Sequence, residues 1–335
     1  MKPVKWGILS TAKIGVEQVV PAMMRSPQCT IAAIASRDLG KAQKAANDLN
    51  IAKAYGSYEE LLADPDIEAI YNPLPNDLHV PFSIQAVKSG KHVLCEKPIA
   101  LSADELRQLI TARDQAGALI AEAFMVRHHP QWIRAREEVR KGAIGKLCAV
   151  QYAFSFFNDD PGNIRNIPER GGGATYDIGV YPIVTSRYIF DGEPKRVLGM
   201  MGVDPKFGTD QLVSAILDYE QGPASFLCST QMVAYQRAHI FGADKRIEIE
   251  IPFNAPIDRP TRLFIDDGSE LSDRSAIECT FDVTDQYRLQ GEAFSRHIRE
   301  GTPLEHPLED SLNTMKVVDA LFTSAREGRW VDITG

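Results

Sequence analysis

Two polar side chains, Lys97 and Tyr181, stand in patterns that suit proton transfer to or from an alcohol. Lys97 lies in the Cys-Glu-Lys-Pro sequence of residues 95–98, directly after a predicted buried strand, and Tyr181 follows Asp177 by four residues. A phenol can give a proton to a forming alkoxide, but its ordinary pKa of about 10 makes it a poor base at neutral pH. A neighbouring ammonium lowers that pKa because it favours the phenolate. We therefore predict a Lys97–Tyr181 acid–base pair, and either member could be the immediate proton carrier.

The residues around this pair are suited to holding it in place. Asp177 and Tyr181 would share one face of a helix, so Asp177 could orient either the substrate hydroxyl or Lys97. Pro98 restricts Lys97 to extended geometry, and a cis peptide bond there would aim the lysine. Pro182 lacks a backbone donor, which predicts a kink near Tyr181. The alternative is that Lys97 is a surface charge and Tyr181 a core side chain.

The first 122 residues alternate between strand-like and helix-like runs. Apolar runs typical of buried strands are separated by helical stretches, two of which open with capping boxes at Ser57 and Ser102. This alternation predicts an α/β unit with a doubly wound parallel sheet. The predicted strands are 4–9, 30–35, 69–71, 92–95 and 119–121, and helices are predicted at 14–24, 39–49, 80–89 and after both capping boxes.

Beyond residue 126 the pattern changes, because strand-like runs follow one another without helices between them. Consecutive strands predict an antiparallel sheet. The runs are 148–156, 211–219, 224–232, 246–251, 262–265 and 277–283, and helices are predicted at 130–140, 286–299 and 308–327. A domain junction is therefore predicted near residues 122–126.

The turn after the first strand, residues 10–15, stands where a Gly-x-Gly-x-x-Gly dinucleotide fingerprint is expected. Ser10 and Ala12 replace the usual glycines, yet small side chains still let backbone N–H groups approach a pyrophosphate at a helix N-terminus. The βαβ context favours a dinucleotide site over an ordinary tight turn. The predicted cofactor-binding residues here are Ser10, Thr11, Ala12, Lys13 and Ile14.

The end of the second strand indicates which dinucleotide is bound. An Asp or Glu is usual there in NAD enzymes, where it binds the ribose 2′-hydroxyl. This chain has Ser36 and Arg37 instead, and a hydroxyl with a guanidinium would bind a 2′-phosphate. We predict NADP as the cofactor, with NAD possible if Asp38 binds the ribose and Arg37 is only a surface charge.

Four segments together closely resemble the glucose–fructose oxidoreductase, inositol dehydrogenase and rhizopine-catabolism (Gfo/Idh/MocA) family. They are the turn at 10–15, the loop at 72–76, the Glu-Lys-Pro sequence at 96–98 and the Gly-rich segment at 171–182. Within that family the chain is most similar to the group of dimeric dihydrodiol dehydrogenases, NADP-linked xylose dehydrogenases and sugar ketoreductases. Many inositol-dehydrogenase-like members have His in place of Tyr181, which argues against an inositol substrate.

The resemblance implies a Rossmann domain at 1–123 and an α/β domain with a large, mostly antiparallel open sheet at 124–335. The second domain would bind substrate and form a homodimer or homotetramer through its sheet, and the last helix, 308–327, could pack near the first domain. The implied active site lies in the cleft between the domains. Further cofactor-binding candidates are Asn72, Pro73, Leu74, Asn76, His79, Glu96 and Lys97, and the substrate-binding candidates are Arg127, Phe156, Asn163, Arg165, Asp177 and Tyr181.

Composition limits the partners. The net charge of −8, from 37 basic and 45 acidic residues, disfavours nucleic-acid binding, which needs a basic face. We found no apolar run of membrane-spanning length and no signal-peptide pattern, and the five scattered cysteines suit a reducing, cytoplasmic protein. Adjacent histidines at 128 and 129 point apart on most backbones, so no metal site is predicted.

The predicted function is NADP(H)-dependent hydride transfer to or from a sugar or a related cyclic polyol or ketone. Two alternatives remain. One is an enzyme that retains its nicotinamide during glycoside cleavage or sugar–sugar oxidoreduction. The other is a non-catalytic NADP-binding regulatory protein, which would not need Lys97, Asp177 and Tyr181 together.

Overall fold

The computed structural model describes residues 2–333 of the chain, which divide into two compact units. The first unit runs up to Met125 and also takes in Gln286–Leu312. The second comprises Val126–Asp285 and the chain from Asn313 onward.

A parallel sheet forms the centre of the first unit. Its strand order within the described residues is β3-β2-β1-β4-β5-β6, the order of a doubly wound dinucleotide-binding sheet, and the order reverses between β1 and β4. Ligands bind such sheets at the carboxyl ends of the strands beside that reversal. The strands are β1 (Val4–Leu9), β2 (Cys29–Ala35), β3 (Lys53–Tyr55), β4 (Ala69–Asn72), β5 (His92–Glu96) and β6 (Ile120–Ala123).

The crossover helices of the first unit begin where the sequence places caps. Ser57 accepts a hydrogen bond from the Glu60 backbone N–H, and Ser102 accepts one from that of Glu105, so both predicted serine caps are confirmed. The Glu60 and Glu105 carboxylates accept the N–H groups of Gly56 and Leu101, one residue before each cap. The helices are α1 (Val20–Met24), which continues a π-helical turn at Gly15–Val19, α2 (Leu39–Leu49), α3 (Tyr58–Ala63), α4 (His79–Lys88) and α5 (Ala103–Ala116).

A helix from far along the chain completes the core of the first unit. In α8 (Gln286–Glu300), Phe294 packs on Trp6 with ring centroids 5.6 Å apart, and Ser295 accepts a hydrogen bond from the Trp6 indole. Arg299 forms a bidentate ion pair with Glu68, with N···O distances of 2.7 Å. This pair, together with the Lys5 backbone N–H, holds the pKa of Glu68 down at about 2.

The second unit is built on a larger sheet with the strand order β14-β13-β12-β11-β7-β10-β9-β8-β15 among the described residues. Most of its pairs are antiparallel, and β7 and β10 are parallel. The strands are β7 (Leu147–Phe157), β8 (Arg196–Val203), β9 (Asp210–Asp218), β10 (Pro223–Ser229), β11 (Gln231–Gly242), β12 (Arg246–Ile249), β13 (Thr261–Asp266), β14 (Ile277–Phe281) and β15 (Val331–Asp332). The predicted fold class is confirmed.

One helix of the second unit is buried along its whole length. Every residue of α7 (Val180–Phe190) is buried, and it continues a π-helical turn at Thr175–Gly179. The irregularity expected beside Pro182 therefore takes the form of this π-turn, in which the Val180 N–H reaches back to the Thr175 carbonyl. The other helices are α6 (Pro130–Arg140) and α9 (Leu308–Glu327). The first turn of α9, residues 308–312, belongs to the first unit.

Candidate functional site

The turn after β1 keeps the backbone of a dinucleotide-binding turn without its first glycine. Ser10 adopts a φ of +75°, a left-handed conformation that usually requires glycine, and its hydroxyl accepts the Ala12 backbone N–H at 3.2 Å. A Cβ added at Gly15 would lie 3.4 Å from Pro73 and 3.6 Å from Tyr71, which are ordinary van der Waals distances, so Gly15 packs directly against the end of β4. The turn therefore fits a pyrophosphate, with Thr11, Ala12, Lys13 and Ile14 at its surface.

The end of β2 offers a hydroxyl and a guanidinium. The Ser36 hydroxyl accepts the Asp38 backbone N–H at 3.3 Å, and Asp38 caps α2 by accepting the Lys41 backbone N–H at 3.2 Å. Burial raises the pKa of Tyr58, and the positive charge of Arg37 offsets part of that rise. Asp38 is thus engaged as a helix cap, and the exposed Arg37 lies near Tyr58 at this strand end.

Hydrogen bonds of two buried side chains, Asn72 and His79, hold the loop after β4 in place. Asn72 is fully buried and donates to the His79 carbonyl and the Ser83 hydroxyl, while its oxygen accepts the Leu74 N–H. The His79 ring lies 2.7 Å from two carbonyl oxygens, those of Leu74 and Pro98. Burial lowers the pKa of His79 to about 4, although the two carbonyl oxygens favour the charged ring and offset part of that effect. Pro73 and Asn76 complete this loop.

The turn after β5 carries Lys97, and contacts on both sides fix it. The Lys97–Pro98 peptide bond is cis. Before it, the Tyr71 hydroxyl donates to Glu96 at 2.7 Å; burial is the main cause that raises the pKa of Tyr71, so this phenol remains a donor. After it, the Ile99 N–H donates to Glu122 at 2.9 Å. Lys97 therefore lies in an anchored turn at the carboxyl end of β5, the edge at which doubly wound sheets bind ligands.

A second group of site candidates gathers in the second unit around one ion pair. The Arg165 guanidinium lies 2.6 Å from the Asp177 carboxylate, which raises the pKa of Arg165. Arg165 also lies over the Phe156 ring at 5.8 Å and is bound through its backbone N–H to Asn163. Phe156, Asn163, Arg165 and Asp177, four of the predicted substrate residues, thus lie near one another. Tyr181 also contributes to the raised pKa of Arg165. Arg127 lies in a separate 3-10 turn at Met125–His128.

Aromatic rings hold Tyr181 in place. Its ring packs edge-on against Phe154 at 5.7 Å and against Phe253 at 5.3 Å, and the residue is 5% exposed. The Phe253 segment is fixed in turn by the Trp132 indole, which donates to the Pro252 carbonyl at 2.6 Å. The phenol therefore sits at the end of a rigid apolar support.

A buried carboxylate that the sequence analysis did not single out anchors the helix of Asp177 and Tyr181. One oxygen of Asp210 accepts both the Thr175 backbone N–H at 2.7 Å and the Thr175 hydroxyl at 2.6 Å. Burial raises the pKa of Asp210. Asp210 lies 35 residues beyond Thr175, and Tyr71 and Phe253 were missed for the same reason: no local pattern marks a side chain that acts from a distant segment.

Among residues 2–333, no group of three or more His, Cys, Asp or Glu side chains could hold a metal ion. Within the same residues, no helix is long and apolar enough to cross a membrane.

The strand order and the turns at the strand ends define a Rossmann-type dinucleotide-binding unit. Residues 4–124 match the family model described as "Oxidoreductase family, NAD-binding Rossmann fold", and residues 132–248 match the GFO/IDH/MocA C-terminal domain. The chain belongs to the Gfo/Idh/MocA oxidoreductase family, so the resemblance predicted from sequence is confirmed.

Two curated relatives and one solved structure are similar over much or nearly all of the chain. A D-xylose 1-dehydrogenase (NADP(+)) of Haloferax volcanii is 38% identical over 98% of this chain and 99% of its own. A trans-1,2-dihydrobenzene-1,2-diol dehydrogenase of Xenopus laevis is 35% identical over 74% of this chain and 75% of its own. A 3-ketoreductase from Actinomadura kijaniata, in complex with NADP and TDP-benzene, has a TM-score of 0.89 at 26% identity, covering 96% of this chain and 98% of that one.

Proposed function

We propose that the protein is an NADP(H)-dependent oxidoreductase that transfers a hydride between nicotinamide and a sugar or a related cyclic polyol or ketone. The observation that carries the proposal is the anchored Lys97 turn at the ligand-binding edge of the Rossmann sheet. The activities of the relatives, a xylose dehydrogenase, a diol dehydrogenase and a 3-ketoreductase, support the same reaction class.

The proposed chemistry divides between cofactor and protein. A bound nicotinamide would accept or supply the hydride, and the protein handles the accompanying proton. Tyr181 would take the proton from the substrate hydroxyl during oxidation and return it during reduction. The Lys97 ammonium would favour the phenolate form of Tyr181 and hydrogen-bond the same hydroxyl.

The ion pair of Arg165 and Asp177 would serve substrate recognition. Asp177 is ion-paired with the guanidinium 2.6 Å away and has a carboxylate that can accept a hydrogen bond from a sugar hydroxyl. Arg165 supplies donors for other hydroxyls, and the Phe156 ring beside it offers an apolar face to the C–H side of a sugar ring. A polyhydroxylated ring suits such a surface better than a simple aliphatic alcohol does.

Arg37 would make the enzyme prefer NADP. We expect Arg37→Ala to raise the Kd of NADPH about 10-fold or more, in line with about 1.5–3 kcal/mol for a hydrogen bond to a charged group, while the Kd of NADH changes less than about twofold. Fluorescence titration of the cofactors measures both values. Lys44→Ala, which removes a cation from the middle of α2, is the matched control. Equal effects of Arg37→Ala on both cofactors, or tighter NADH binding by the wild type, would refute the NADP assignment.

The open face of the second sheet would form a homodimer or homotetramer. Met200 and Leu227 lie on either side of Ser214, and Leu212 and Ile216 flank Ser214 along β9, so four exposed apolar side chains form one patch. We expect Leu227→Lys to give monomers in analytical ultracentrifugation, while Leu271→Lys, in an exposed loop, leaves the oligomer unchanged. A wild type that sediments as a monomer contradicts this proposal.

A spectrophotometric screen tests the proposed function as a whole. Aldoses, anhydrosugars, inositols and diketones are offered with NADP⁺ or NADPH, and absorbance at 340 nm is followed. We expect turnover with at least one carbohydrate class. Persistent cofactor binding with product formation but no net absorbance change would instead indicate an enzyme that retains its nicotinamide. Binding without any turnover would favour a regulatory protein.

A further inference from the structure

We propose that Asp210 is a positioning residue for the proton-transfer step, acting through Thr175 and Gly173 on the helix that carries Asp177 and Tyr181. This inference rests on the proposed function. Asp210 is the first residue of β9, 8% exposed, and lies outside every segment that the family resemblance rests on. Its carboxylate hydrogen-bonds Thr175, two residues before Asp177 and six before Tyr181, so its effect on them would pass through the backbone.

The first link is a helix cap supplied from another segment. The first N–H groups of a helix have no partner within the helix, and side-chain oxygens usually satisfy them from the position just before it. That position is Ala174 here, which makes no side-chain cap. Asp210 takes over the task by accepting the Thr175 N–H and hydroxyl. A carboxylate at this end also interacts favourably with the helix dipole.

The second link explains the glycines that precede the helix. Gly173 has a φ of +118°, and a Cβ added there would lie 1.9 Å from an Asp210 carboxylate oxygen. A Cβ added at Gly172 would lie 2.6 Å from the Arg165 carbonyl oxygen. The two glycines are therefore pressed between the Asp210 carboxylate and the Arg165 backbone, and only glycine fits there.

The links close into a ring of contacts. Gly173 donates its N–H to the Arg165 carbonyl at 2.8 Å, and the Arg165 side chain reaches Asp177, two residues beyond Thr175. From Asp210 the ring thus runs through Thr175, Asp177, Arg165 and Gly173 and back to Asp210. A closed ring fixes the start of the helix, and hence Asp177 and the phenol one turn later, more firmly than any single contact would.

The experiment compares Asp210→Ala with a matched variant, Asp204→Ala. Asp204 is another buried carboxylate in the connection between β8 and β9, but it caps the turn at Lys206 and Phe207 and binds Gln231. We expect Asp210→Ala to lower kcat about 10- to 100-fold, as displacement of a reacting group by about 1 Å does, with the KM for NADP⁺ within about twofold. Asp204→Ala should leave kcat within about twofold.

A double-mutant cycle shows whether the effect passes through Tyr181. If Asp210 acts by placing the phenol, Asp210→Ala should lower kcat less than about threefold in a Tyr181→Phe background. Asp210→Asn, which keeps one acceptor oxygen, should retain most of the wild-type kcat. If Asp210→Ala does not fold, Asp210→Asn is the variant on which the proposal is tested. The proposal would be overturned if Asp210→Ala and Asp204→Ala lowered kcat equally, or if Asp210→Ala lowered kcat as much in the Tyr181→Phe background as in the wild type. It would also be overturned if the kcat of Asp210→Asn were as low as that of Tyr181→Phe. A wild type without turnover would instead refute the proposed function.

Discussion

Replacing Tyr181 with phenylalanine should lower kcat by about 10²- to 10⁴-fold, the usual contribution of a general acid or base. The fold should be preserved, because the phenyl ring keeps its contacts with Phe154 and Phe253. Cofactor affinity should be unchanged, since the residues proposed to bind the dinucleotide follow strands of the first unit. Steady-state kinetics and a cofactor titration on the same preparation measure both properties.

Tyr188→Phe is the matched control for this variant. Tyr188 is also a buried tyrosine of α7, and its ring packs under the Arg136 guanidinium. We expect its kcat to stay within about twofold of the wild type. If Tyr181→Phe is as active as Tyr188→Phe, the phenol does not handle the proton.

Lys97→Ala should lower kcat by a similar factor and also change its dependence on pH. In the proposed pair the ammonium would stabilise the phenolate, and its removal would let the pKa of the phenol rise towards the ordinary value of about 10. Oxidation of the alcohol needs the phenolate as base. The pH at which the oxidation rate reaches half its maximum should therefore move upward in Lys97→Ala, and it should stay near the wild-type value in Lys97→Arg.

The comparison variant is Lys88→Ala, an exposed lysine at the end of α4 in the same unit. It should leave both kcat and the pH profile unchanged. An unshifted pH profile in Lys97→Ala, even with a lower kcat, would mean that the lysine positions the substrate but does not tune a proton carrier.

The sequence predicted elements best where periodicity and capping agree. The helix at 39–49 and the strand at 4–9 have the predicted bounds, and Ser57 and Ser102 cap the helices that they were expected to begin. In each case the signal lies within about ten residues and is repeated by several side chains. Local chemistry then suffices, because neighbouring residues decide the structure.

Strands with mixed faces were predicted poorly. β8 and β11 were missed, although β11 has 12 residues. β8 contains two glycines, and the first half of β11 is largely exposed and carries a register shift between Gln231 and Tyr235, so neither strand shows a clean alternation of apolar and polar residues. Their pairing with distant strands decides their conformation, and that information is not local.

The residues of the candidate site also fall into two groups, those marked by a local sequence motif and those that act from a distant segment. Lys97, Asp177 and Tyr181 could be singled out because they lie in short motifs, and the turn at Ser10 kept its left-handed backbone despite lacking glycine. The residues that hold these groups could not be found in this way. Tyr71 reaches Glu96 across 25 residues, and Asp210 reaches Thr175 across 35, so only the folded chain brings them together.

Direct transfer of deuterium from substrate to cofactor is the sharpest test of the central claim. Perdeuterated sugars of the classes in the screen are incubated with the protein and NADP⁺, and the reduced cofactor is analysed by mass spectrometry. We predict NADPH that is heavier by one mass unit, formed by the wild type and strongly reduced in Tyr181→Phe. Reduced cofactor without deuterium, or no reduced cofactor with any sugar, would contradict the assignment of the protein as a sugar-linked hydride-transfer enzyme.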